Sequence, residues 1–104
     1  MEKADWKKIC EMLPMLRERY LAEQNARLAR LLAEPGKNET ERFWGAFEEM
    51  KRQSKVLRDC LDGYSRSSMW LNMKTMLCVG MLKQEDLAVF SEELRTGLTE
   101  AAAE

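Results

Sequence analysis

Cys10, Cys60 and Cys78 are the softest donors and the strongest latent nucleophiles in this 104-residue chain, and no histidine accompanies them. Without an imidazole the commonest general base is missing, so neither a cysteine nor a serine has the partner that would deprotonate it. Cys60 has Arg58 nearby, but Asp59 and Asp62 flank it too, and their charge disfavours a thiolate. The cysteines are odd in number and widely spaced. That argues against a disulfide framework and against zinc-ligand spacing, and leaves three reduced core thiols as the expectation. The acid pairs Glu48 with Glu49 and Glu92 with Glu93 are sequence neighbours, which on a helix diverge by about 100° and cannot share one acid/base task. There is no glycine-rich phosphate loop. These residues predict a protein that is not an enzyme and that uses no metal or cofactor.

The chemistry that remains is that of binding. Met69, Met73 and Met76 recur at helical spacing, and Trp70 lies on the adjacent stripe with Leu77 and Met81. A helix apolar almost all round must be covered on more than one side, by its own fold or by another chain, and methionine re-packs readily against a partner helix. Trp44 stands between Phe43 and Phe47, three aromatics of the kind that anchor interfaces or fill cores. Met69, Trp70, Met73, Met76 and Trp44 are therefore the candidate partner-binding residues. Lys51, Lys55 and Arg58 make a basic stripe at spacings of four and three, with Arg66 following. These four are the candidates for a second chemistry, contact with nucleic-acid phosphate. Residues 50–83 carry seven Lys or Arg against two acids, and residues 84–104 one Arg against six acids, although the net charge of the whole is only -1. The acidic end, with Glu11, Glu18 and Glu23, could pair with the stripe and remove it from play.

The elements that must position these residues are helices. Phe43, Phe47, Met50, Ser54, Leu57, Leu61 and Tyr64 alternate at four and three, a seam for a partner helix. Hydrophobic residues make up 45% and charged residues 34% of the chain, and five Gly with two Pro leave few turns. That balance marks one all-α domain over 1–104, large enough to bury a single core. Helix 1 is predicted over about 5–34, capped by Asp5, kinked or broken near Leu13 because Pro14 lacks an amide donor, and ended by Pro35 and Gly36. Helix 2 spans 38–62 behind a capping box of Asn38 and Glu41. Asn38 to Thr40 also spells a glycosylation sequon, but nothing at the N-terminus reads as a secretory signal, so capping is the expected role.

The short loop between helices 1 and 2 predicts an antiparallel hairpin roughly 30–35 Å long. A second, milder edge of helix 2, made of Ala46, Gln53, Val56 and Cys60, should receive a third helix. Helix 3 is expected over 67–79, capped by Ser67 or Ser68 and closed by a left-handed Gly80, and helix 4 over 84–101 with Glu85 and Asp86 in its first turn. The whole predicts a four-helix bundle built on that hairpin.

No stretch is long and apolar enough to span a bilayer, since Met69 to Leu82 falls short of about 20 residues and contains Asn72 and Lys74. The expectation is a cytoplasmic adaptor, assembly factor or inhibitor of bacterial or mobile-element origin. It would act on another protein or on a second copy of itself as a homodimer, with a nucleic-acid-binding accessory as the alternative.

Overall fold

The computed structural model describes residues 1–103. It contains α1 (Lys3–Leu32), α2 (Glu39–Leu61), α3 (Met69–Val79), a 3₁₀ segment (Gln84–Val89) and α4 (Glu92–Ala103), and no strand among the described residues. The two long helices run antiparallel. Tyr20 on α1 donates to Gln53 Oε1 on α2, Arg27 reaches Glu49 at 3.3 Å, and Arg42 Nε donates to the Glu34 carbonyl at 2.9 Å across the connecting turn.

The helix ends follow local chemistry. The Asn38 Oδ1 accepts from the Glu41 amide at 2.8 Å while Glu41 accepts from the Asn38 amide, so the predicted capping box is present. Gly80 stands at φ 83°, and the Met81 amide turns back to the Met76 carbonyl at 2.9 Å. This is the Schellman closure, which needs the left-handed conformation that glycine adopts without a Cβ penalty. It also buries Met81 and Leu82, as the closing hydrophobic contact requires.

Four expectations are corrected. First, α1 runs unbroken through Pro14. The proline removes the donor to the Cys10 carbonyl, but Ile9, Leu13 and Leu16 bury on either side of it and hold the helix together. Second, Asp5 does not cap α1, which begins two residues earlier. Its buried carboxylate accepts from the Ser91 amide at 2.9 Å and the Ser91 hydroxyl at 2.6 Å, while Ser91 Oγ accepts from the Leu94 amide at 3.3 Å. Asp5 thus fixes the start of α4 from across the molecule. Third, the predicted fourth helix is two pieces. Asp86 accepts from the Lys83 amide at 2.7 Å and from Arg19, which tightens Gln84–Val89 into a 3₁₀ turn. Extended backbone at Phe90 then drops that ring into the core before α4 starts. Fourth, Ser68 precedes α3 but spends its hydroxyl on the turn, accepting from the Ser65 amide at 2.8 Å, and makes no cap bond to α3.

The core lies at one end. Ile9, Leu13, Leu16 and Tyr20 of α1 meet Cys60 of α2, Met69, Met73 and Met76 of α3, Met81, Leu82, Leu87 and Phe90 of the connecting stretch, and Leu94 and Leu98 of α4. Asn72 Nδ2 donates to the Cys60 carbonyl at 3.1 Å and ties α3 to the end of α2. The 23 residues of α2 extend about 34 Å, whereas the 11 and 12 residues of α3 and α4 reach only about 16 to 18 Å. The short helices therefore cover one end of the hairpin and leave the other projecting, which gives the molecule its 51 × 25 × 22 Å extents. No helix among the described residues is long and apolar enough to cross a membrane.

Candidate interaction surface

The projecting half of α2 buries a narrow edge against α1. Ala46, Glu49 and Gln53 face inward, with Cys60 continuing the line toward the core. Glu49 is a buried charge, and it is satisfied on three sides: Gln53 Nε2 donates to it at 3.0 Å, Arg52 bonds its second oxygen, and Arg27 approaches from α1. The Gln53 hydrogen bond foremost, then the two guanidinium charges, hold the Glu49 carboxyl below its ordinary value of 4.5 against the opposing effect of burial. A hairpin that packs through a polar network of this kind has a defined register, because a one-turn slip would strand the carboxylate. The milder edge of α2 is thus the buried one, and α1 fills it where the sequence reading put a third helix.

The seam at four and three spacing lies roughly 100° further round α2, turned away from α1. Its Leu57 and Leu61 are partly covered by the core, and Tyr64 meets Trp6 edge-on with ring centroids 6.1 Å apart. The other half of the seam is open. Phe43 is 57%, Phe47 43% and Met50 56% exposed, and Trp44 beside them is 54% exposed. The three aromatics pack edge to face, Phe43 to Trp44 at 5.0 Å and Trp44 to Phe47 at 5.6 Å. Such contacts join the three rings into one ridge. Isolated exposed apolar residues need no explanation, but four large ones in two turns of one helix form a patch.

Each candidate from the sequence now has a place. Met69, Met73 and Met76 are 0% exposed and line this chain's own core, so the intact fold does not present them to a partner. Trp70 is half-buried and borders a half-open cleft of about 620 Å³ with Met1, Asp5, Arg66, Leu94 and Gly97. Two of the polar groups of that cleft already have partners, since Asp5 holds Ser91 and Arg66 donates to the Met1 carbonyl at 2.9 Å. Trp44 alone among the five partner-binding candidates lies fully on the surface. Phe43, Phe47 and Met50 join it there, although the sequence reading counted them as a packed seam.

The basic stripe is intact. Lys51, Lys55 and Arg58 are exposed, and among the described residues none of them forms an ion pair. Two of the acids that were candidates to neutralise them are engaged elsewhere, Asp86 with Arg19 and Glu23 with Lys83 at 3.0 Å. Arg66 lies beyond the turn at the core end, apart from the other three.

The thiols divide by depth. Cys60 is buried, and that burial, with Asp59 adding to it, pushes its thiol up to about 11. Cys10 is raised by burial and by Glu11, and Cys78 is exposed. Among the described residues no group of three or more His, Cys, Asp or Glu converges as metal ligands would.

The observed helix lengths explain the exposed seam. Helices of 11 and 12 residues cannot cover a helix of 23 along its whole length, so part of any stripe on α2 had to remain uncovered. No protein-family model, no curated protein and no solved structure matches the chain, and the surface is therefore read from its own geometry and chemistry.

Proposed function

We propose that this chain is a non-catalytic protein–protein interaction module. It is a four-helix bundle whose long hairpin carries the aromatic ridge of α2 to an amphipathic helix of a protein partner. One observation carries the reading: Phe43, Trp44, Phe47 and Met50 are 43% to 57% exposed on a helix whose inner edge is committed to α1. Aromatic side chains and methionine are enriched at interface cores, and Trp is among the residues that dominate binding hot spots. The unpaired Lys51, Lys55 and Arg58 beside it supply the orientation and the choice of partner that a purely apolar face lacks. The three unbridged thiols suit a reducing compartment such as the cytoplasm.

A photo-reactive benzophenone residue in place of Phe47, with the same probe at exposed Thr96 on α4 as the control, tests this in the cell that makes the chain. The expected result is protein adducts at position 47 and not at 96, whose cross-linked peptides sequence as amphipathic helix. Adducts to nucleic acid at 47 would favour phosphate contact through Lys51, Lys55 and Arg58 instead. Equal labelling at both positions would overturn the reading.

A further inference from the structure

One flank of α2 borders the aromatic ridge and carries a pattern of its own. Glu41, Trp44, Glu48, Lys51, Lys55 and Arg58 follow one another at spacings of three, four, three, four and three, and all six are exposed. Acids occupy the first half and bases the second. The five charged members form no ion pair within the chain among the described residues. A stripe ordered in this way is complementary to itself when reversed.

We infer that the helix docking on this face is α2 of a second copy, laid antiparallel about a two-fold axis between Glu48 and Lys51. This rests on the reading of the α2 face as a docking surface. Reversal about that point sets Glu48 opposite the partner's Lys51, Glu41 opposite the partner's Arg58, and the Trp44 ring opposite the partner's Lys55 ammonium, where a cation meets an aromatic face. Each contact occurs twice, as an isologous interface demands. The apolar seam keeps step with the charges. Phe43 falls between the partner's Ser54 and Leu57, and Phe47 between the partner's Met50 and Ser54, so large rings meet small or flexible side chains. A parallel pairing would set Glu48 on Glu48 and Lys51 on Lys51, and like charges in register are destabilising. The pattern therefore selects the antiparallel orientation, while the seam supplies the attraction. The dimer lays each projecting hairpin half, which the chain's own short helices do not reach, along the core-side half of the partner's α2.

The test uses the full-length, nuclease-treated protein in light scattering over a hundredfold concentration range. Wild type is expected to rise from 12.2 kDa toward twice that mass. Glu48→Lys makes the stripe basic through its middle, and Lys51→Glu makes it acidic. Each variant alone should need about tenfold higher concentration to associate, because two attractive pairs become repulsive. An equimolar mixture should recover wild-type association as a one-to-one heterodimer, since both crossed pairs are then opposite in sign. That rescue cannot arise from changes within either helix, which mixing leaves untouched. Unchanged circular dichroism confirms that each variant folds. A wild type that stays monomeric throughout, or a mixture no better than its components, overturns self-association. Position 47 then separates the two claims: adducts with a foreign amphipathic helix would leave the docking face standing with another occupant, and no protein adduct would remove both.

Discussion

Met50→Ala and Met76→Ala are the same substitution on two helices, and the structure assigns them different consequences. Met76 is 0% exposed in the core and Met50 is 56% exposed on the open half of α2. Truncating a buried methionine removes transfer energy and leaves a cavity, for a combined loss of about 2–5 kcal/mol. A fully buried methionine contributes about 1.5–3 kcal/mol, so the covered fraction of Met50 supplies about 1 kcal/mol, part of which the better helix propensity of alanine returns. With a urea slope of about 1–1.5 kcal/mol/M for a chain of this size, Met76→Ala should lower the midpoint by about 2 M and Met50→Ala by about 0.5 M or less. Helical circular dichroism at low micromolar protein is the assay, because dilution keeps association from adding to stability. At a hundredfold higher concentration the Met50 variant should lose more relative to wild type, as the dimer-linked stabilisation of wild type grows and that of the variant does not. A Met50 midpoint that falls as far as that of Met76 in dilute solution would refute the reasoning, because it would mean that the seam is buried within the monomer.

Pro14→Ala restores a donor to the Cys10 carbonyl inside a continuous helix and should stabilise the fold by up to about 3 kcal/mol, read as a higher urea midpoint. Asp86 is held below its ordinary value of 3.8, chiefly by its hydrogen bonds from Arg19. Its folded value is the depressed one, so its contribution is complete above the ordinary value and is lost as pH falls through the folded value. Asp86→Asn should accordingly weaken wild type at pH 7 and flatten the decline below pH 3.8 in stability measured against pH. Ellman's reagent at pH 8 should titrate Cys78 rapidly and Cys60 only after unfolding, since the Cys60 thiol is buried and pushed up to about 11; fast native labelling of Cys60→Ser and wild type to the same extent is the expected control.

Much of the architecture is written locally. The Asn38–Glu41 box, the Pro35–Gly36 stop and the left-handed Gly80 each act within a few residues, and at those points the predicted and observed boundaries agree to within two residues. Apolar periodicity likewise marked every helix that formed. Asp5 was misread and the Arg19 partner of Asp86 was missed, because those contacts join residues far apart along the chain, whose proximity no local rule encodes. Pro14 was weighed by its missing hydrogen bond, and the packing of Leu13 and Leu16 on either side outweighed it.

The candidate surface shows the same division. Sequence alone determined that α2 bears an aromatic seam, a basic stripe and a second, milder apolar edge, and that α3 is apolar almost all round. It could not determine which of these faces the chain would cover. Periodicity states that a stripe seeks a partner and is silent on whether that partner is intramolecular. Tertiary structure decided the matter through reach: α3 and α4 are half the length of the hairpin, so they close over Met69, Met73 and Met76 at one end and leave Phe43, Trp44, Phe47 and Met50 in water at the other.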